Sequence, residues 1–120
     1  SVPDHCLKEM VAVFRKSLTD HGFQSAAWGH IGNNHIHFNL LPQSEAEYKE
    51  IKLLFQEWAA WVSSHGGAVS AEHGVGKLKA GFLTVMYGES YIDEMRALKR
   101  AFDPKWQLGD GNMFTEKEGI

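Results

Sequence analysis

The sequence predicts an α+β fold, in which helices cover an antiparallel sheet, and three observations support this. Segments 4–21 and 45–65 carry apolar residues at three- and four-residue steps, as amphipathic helices do. Residues 23–41 show the alternation of strands and are interrupted by Gly32-Asn33-Asn34, which favours a β-hairpin. With 120 residues, 43% of them hydrophobic, the chain has the length and apolar content of one globular domain.

The first two helices are predicted from their ends and their apolar faces. Asp4 is placed to cap the first helix and Gly22 to end it. Ser44 and Glu47 form a capping-box pattern for the second helix, which Gly66-Gly67 ends. The predicted buried faces are Leu7, Met10, Val11, Phe14 and Leu18 in the first helix, and Tyr48, Ile51, Leu54, Phe55, Trp58, Trp61 and Val62 in the second.

The second half of the chain is predicted to contain shorter secondary-structure elements. Residues 68–70 favour a strand, 72–76 a glycine-flanked loop and 77–86 a short helix. A last helix is expected from about Ser90 to the residue before Asp103-Pro104. The polar tail from 105 to 120 is expected to be loose unless something docks on it.

Composition excludes several classes of protein. Twelve basic and fifteen acidic side chains give a net charge of −3, which excludes the basic footprint of a nucleic-acid-binding protein. The single Cys6 excludes an internal disulfide framework, is expected in the core, and favours a reducing compartment, so we expect a cytoplasmic location. No apolar run approaches the roughly twenty residues of a membrane span, and no signal peptide is visible.

The candidate chemistry lies with the histidines. Of seven histidines, three lie at predicted helix ends, where surface or capping roles suffice: His5, His21 and His65. The other four lie in segments rich in Gly and Asn: His30, His35, His37 and His73. In the second predicted strand, His35, His37 and Asn39 alternate with the apolar Ile36, Phe38 and Leu40.

The length of the hairpin turn decides whether His30 and His37 can act together. If the turn comprises Gly32 to His35, the two histidines pair with Cβ atoms about 5 Å apart, close enough to share a metal ion. If it comprises only Gly32 to Asn34, they lie on opposite faces. The sequence leaves both possibilities open.

A second candidate is the segment Glu72-His73-Gly74-Val75-Gly76, which places a carboxylate beside an imidazole. Two histidines and a glutamate form a common catalytic zinc set that keeps one coordination position open. His30, His37 and Glu72 therefore predict a metal-assisted site. Taken alone, Glu72-His73 is a weak signal and favours a solvated loop.

Three segments together resemble one known family. Gly29 to His37 resembles the Gly-His-x-Gly-Asp-Gly-Asn-x-His segment of FAD-linked oxidase C-terminal domains, and Gly67 to Gly76 resembles their Ser-x-Glu-His-Gly-x-Gly signature. Met95 to Pro104 is similar to the closing helix and its Phe-Asp-Pro. The family includes the FAD subunit of glycolate oxidase and D-lactate and D-2-hydroxyglutarate dehydrogenases.

The resemblance implies a role for each motif residue. His30, His37 and Glu72 would bind a divalent metal, with zinc as the expected ion, and the same two histidines would thereby face the substrate. His73 would be the catalytic base near the flavin, and Asn39 would contact the substrate, a small 2-hydroxy acid. The fold implied is the ferredoxin-like half of a flavoenzyme substrate domain.

The chain departs from the family pattern in two places and in length. Asn33-Asn34-His35 replaces Asp-Gly-Asn, which adds an imidazole, and Leu108 to Asn112 replaces Leu-Asn-Pro-Gly-Lys. Residues 1–120 would form the C-terminal part of the substrate (cap) domain, without the upstream FAD-binding domain. We expect such a chain to be inactive alone and to self-associate through surfaces that the missing part covers, which sedimentation at high concentration would test.

Two alternatives come from other classes of protein. The alternation His35-Ile36-His37-Phe38-Asn39 is similar to the His-x-His-x-His strand of histidine-triad nucleotide hydrolases, but Asn39 replaces the third histidine. A non-catalytic α+β ligand-binding module with incidental histidines is the other alternative.

Overall fold

The computed structural model describes residues 1–116, and the last four residues of the predicted tail lie outside the described part. The chain forms two compact units, which we call the N-terminal unit (Ser1–Ala71) and the C-terminal unit (from Glu72 onward). Within residues 1–116, no helix is long and apolar enough to cross a membrane.

The N-terminal unit is built from two helices and one hairpin. A 3₁₀ turn (Asp4–Cys6) leads into α1 (Leu7–His21), followed by β1 (Ser25–His30), a 3₁₀ turn (Ile31–Asn33), β2 (His35–Leu40) and α2 (Glu45–Ser64). The two strands pair antiparallel. This arrangement confirms the predicted α+β class.

The helix ends follow the sequence in most places. Gly22 ends α1 in a left-handed conformation, with φ of 70°. The backbone N–H of Glu47 donates to Ser44 Oγ at 3.1 Å, as the capping box predicts. The prediction that Asp4 caps α1 is wrong: its carboxylate accepts a hydrogen bond from the Asn34 side chain instead.

The core of the N-terminal unit forms where α1 and α2 meet the apolar face of β2. Phe14 of α1 and Trp58 of α2 stack with ring centroids 4.2 Å apart. Phe38 of β2 contacts both rings edge-on, at 5.4 Å and 5.2 Å. Cys6 is buried in this cluster, as expected. The prediction that Tyr48 lies in the core is wrong: it lies in the first turn of α2 and is 48% exposed.

The predicted strand at residues 68–70 does not form in the described part of the chain. Ala68 exchanges two backbone hydrogen bonds with Ser1, each of 2.9 Å, and these join a single pair of residues rather than a ladder. Val69 packs against the core as an irregular segment.

The C-terminal unit consists of a glycine-containing loop, two helices and the described part of the tail. Helix α3 (Ala80–Tyr87) packs on α4 (Glu89–Phe102), and Leu83 and Ile92 are buried. Helix α4 begins one residue before Ser90, after Gly88, and it has no side-chain cap at its N-terminus. Leu98 and Phe102 of its apolar stripe are 62% and 83% exposed.

Asp103 fixes the start of the tail at the end of α4. It is 8% exposed and accepts hydrogen bonds from Lys99 Nζ and from the backbone N–H groups of Gln107 and Leu108. The hydrogen bond from Lys99, followed by that from Leu108, lowers the pKa of Asp103 to about 2. The tail is therefore folded back on the helix end at Gln107 and Leu108, and farther along Arg96 Nε of α4 donates to Thr115 O at 2.9 Å.

We predict that this turn weakens in acid through Asp103. Because its pKa in the folded protein lies below the unfolded value of about 3.9, the stabilisation is fully present above about pH 4 and is lost as the pH falls through about 2. Between these values, the amide NMR signals of Gln107 and Leu108 should shift in the native chain. The variant Asp103→Asn should lack this transition and show a looser tail at pH 7. The same transition in the variant would contradict the assignment.

Candidate functional site

The hairpin presents a polar face that carries three histidines. The strands pair from Ser25 opposite Leu40 through His30 opposite His35, so that residues directly opposite each other share a face. We call this surface the histidine face; it comprises Ala26, Trp28, His30, His35, His37 and Asn39. Its β1 residues and Asn39 are exposed, whereas His35 and His37 are half-buried.

The observed register differs from both predicted ones. His30 pairs with His35, and His37 pairs with Trp28, because the connection comprises Ile31 to Asn34. The cause is the 3₁₀ turn, which the Asn34 N–H closes by donating to Ile31 O at 3.1 Å while Asn34 takes a left-handed φ of 52°. The prediction that His30 pairs with His37 is wrong. Of the two alternatives that the sequence left open for their faces, the common face is observed, because a register shift of two residues preserves the face of every side chain.

The three imidazole rings lie close together. Ring centroids are 4.4 Å apart for His35 and His37, 5.8 Å for His30 and His35, and 6.4 Å for His30 and His37. A ring nitrogen of His30 and one of His37 lie within 4.8 Å of each other. Two nitrogens bound to one zinc ion at about 2.1 Å are at most about 4.2 Å apart, so a small ring rotation suits this pair to a metal.

Glu72 and His73 begin the C-terminal unit. His73 Nε2 lies 3.2 Å from Glu72 Oε1, and the side chains are 68% and 38% exposed, respectively. The next glycines, Gly74 and Gly76, have φ of 66° and 52°, a backbone conformation that a residue with a Cβ rarely adopts. The loop therefore turns sharply just after the carboxylate–imidazole pair, as its glycines predict. Met113 N–H donates to Gly76 O at 3.0 Å and holds the far side of the loop.

Two features of the site were missed or left undecided from the sequence. His35 had no assigned role, although the alternation of β2 already placed it on the polar face with His37. Trp28 was not considered; its indole stacks near His37, with ring centroids 6.1 Å apart. The alternation of β1 already places Trp28 on the face of His30, but its position opposite His37 follows only from the register.

Comparison with known proteins identifies the class of protein to which this fold and these site residues belong. The family described as FAD linked oxidases, C-terminal domain, matches residues 1–113. The chain therefore belongs to this family of FAD-linked oxidase C-terminal domains, as its three motifs indicate. Membership separates it from the histidine-triad hydrolases.

Individual relatives agree with this membership. The chain is 30% identical over 118 residues to the glycolate oxidase subunit GlcD of Bacillus subtilis, which covers 97% of this chain and 25% of the relative. It is 31% identical to the D-2-hydroxyglutarate dehydrogenases of Stutzerimonas stutzeri and Escherichia coli, over 91% and 93% of this chain. These alignments span 24% and 11% of the two dehydrogenases, so the chain spans a quarter or less of each of these three relatives.

We predict that Gly29 is required for the histidine face. A Cβ added at Gly29 would lie 2.2 Å from His35 O, and the residue has a φ of 150°. The variant Gly29→Ala should therefore have a free energy of unfolding, measured with urea, that is lower by about 1–3 kcal/mol. It should also lose cross-strand contacts in NMR spectra. Gly32→Ala is the matched control, since nothing lies within 4 Å of a Cβ there. Equal stability of the two variants would contradict the prediction.

Proposed function

We propose that the chain is the C-terminal part of the substrate domain of an FAD-dependent 2-hydroxy-acid dehydrogenase or oxidase. The observation that carries the proposal is the histidine face, where His30 and His37 lie on one side of the hairpin with ring nitrogens within 4.8 Å. The family match supports it, as do the names of the relatives, which are a glycolate oxidase subunit and D-2-hydroxyglutarate dehydrogenases.

We propose that His30, His37 and Glu72 hold a divalent metal, with zinc as the first choice. Two imidazole nitrogens and one carboxylate oxygen suit an ion of this kind and leave a position open for substrate. When bound, the metal would lower the pKa of the substrate's hydroxyl group and orient its carboxylate.

His73 would accept the proton of the substrate hydroxyl. Its Nε2 lies 3.2 Å from Glu72 Oε1, so the carboxylate can hold a proton on Nε2 while Nδ1 would accept the substrate's proton. Glu72 would thus both orient the base and act as a metal ligand. Asn39, an exposed amide on the histidine face, would donate a hydrogen bond to the substrate.

The cofactor and the remaining partners also belong to the proposal. FAD, held mainly by an upstream domain outside this chain, would accept the hydride from the substrate carbon. Without that domain the chain should neither retain FAD nor oxidise a substrate, and flavin absorbance that co-purifies stoichiometrically with the 120 residues would refute this. Self-association of the chain and a cytoplasmic location remain predictions, and the exposed Leu98 and Phe102 of α4 favour the first.

We predict that zinc binding depends on His37. Isothermal titration of the chain with Zn²⁺ should show at least about tenfold weaker binding for His37→Ala than for the native sequence, because one ligand is lost. His21→Ala, which removes an exposed helix-end histidine, should bind as the native chain does. Zinc at a hundred times its Kd should raise the free energy of unfolding by about 2.7 kcal/mol. Melting curves that are identical with zinc and with chelator would refute the metal site.

We predict that His73 acts in catalysis and not in metal binding. In a flavin-containing protein that carries this chain, His73→Asn should lower kcat for a 2-hydroxy acid by at least about a hundredfold, because the base is lost. Its zinc content, measured by mass spectrometry, should not change. His65→Asn is the control. An unchanged kcat would remove His73 from the proposed mechanism.

A further inference from the structure

His35 lies beside His30 and His37 on the histidine face. It lies directly opposite His30 in the hairpin and two residues before His37 on the same strand, so the three side chains form a triangle on one face. On the surface of a sheet, three side chains come closest together when one lies on a strand and the other two lie at alternate positions of the neighbouring strand.

The spacing of the rings matches three imidazoles around one metal. A nitrogen lies about 2.1 Å from zinc and the ring centroid about 1 Å farther, so tetrahedral coordination separates the centroids by about 5 Å. The observed separations of 4.4, 5.8 and 6.4 Å lie around that value. The rings are inclined to one another by 49°, 46° and 74°, so each must rotate to aim a nitrogen at a common point. Exposed or half-buried rings at a surface can make that rotation.

We infer that His35 is a third imidazole ligand of the metal, so that the hairpin alone supplies three nitrogens; the inference rests on the proposed function for His30 and His37 as ligands. Glu72 is then a fourth ligand, and the substrate would bind by expanding the coordination of the zinc from four to five. Three imidazoles favour Zn²⁺, Co²⁺ and Cu²⁺ over the oxygen-preferring Mn²⁺ and Mg²⁺. His35 therefore determines which metals this site accepts.

The inference is tested with Zn²⁺ and Mn²⁺ titrations of the whole chain and its variants. His35→Asn should weaken Zn²⁺ binding at least about tenfold and Mn²⁺ binding much less, which reduces the preference for zinc. His21→Asn should change neither. His35→Gln is a second substitution of the same residue. Urea unfolding in the absence of metal shows whether each variant is folded.

A direct spectroscopic measurement separates ligation from a merely structural role. In the native chain labelled with ¹⁵N, one ring nitrogen of His35 should shift on Zn²⁺ addition together with nitrogens of His30 and His37. A His35 that only supports its neighbours would leave its own ring nitrogens unshifted, and this result overturns the inference. The measurement needs no variant, so it decides even if both substitutions unfold the hairpin.

The outcomes distinguish this inference from the proposed function. Native zinc affinity in His35→Asn, with loss of binding in His37→Ala and Glu72→Gln, overturns the inference and leaves the proposed ligand set intact. Loss of zinc binding in both His35→Asn and His37→Ala supports the inference, whatever Glu72→Gln shows. Native affinity in all three variants, or no zinc binding by the native chain, overturns both.

Discussion

The packing of β2 against α1 and α2 is the constraint on which the histidine face depends. Phe38 meets the stacked rings of Phe14 and Trp58, and Trp58 Nε1 donates to Ser17 Oγ at 3.0 Å, which satisfies the indole within the core. A slip of one residue in β2 would withdraw Phe38 and turn imidazoles toward this cluster, losing apolar burial and desolvating polar rings. The aromatic core therefore decides which side chains face outward.

The turn selects the register of the two strands, which the core leaves open. Packing fixes only which face each residue occupies, and several registers two residues apart would satisfy it equally. The left-handed Asn34 and the contact between its side chain and Asp4 tie the loop to the start of α1. The turn thereby selects His35, and not His37, as the partner of His30. The neighbouring imidazoles thus depend on the closure of the turn and on a polar contact of its last residue.

The C-terminal unit is stabilised in a different way. Few of its side chains in the described part are buried, and Asp103 organises the tail with charge-assisted and backbone hydrogen bonds. The loop that carries Glu72 and His73 depends on glycines with positive φ rather than on packed side chains. The proposed metal ligands thus differ in setting, with two imidazoles on a packed hairpin and a carboxylate on a glycine loop.

Local signals predicted the local features well. Gly22 and the Ser44–Glu47 capping box act within four residues along the chain, so neighbouring residues alone define them. Predictions failed where the outcome depends on distant partners. Residues 68–70 have strand-like composition, but Ala68 bonds to Ser1 without forming a strand, and Tyr48 has helical spacing but is exposed. Strand pairing and burial are properties of the fold, which a local pattern cannot specify.

The sequence by itself determined the family, the α+β class and the common polar face of His35, His37 and Asn39. Motif spacing and strand alternation depend only on residues that are close together in the sequence. Only the tertiary structure decided that His30 lies opposite His35, since the register depends on how the turn closes. That register made a third imidazole a neighbour of the other two.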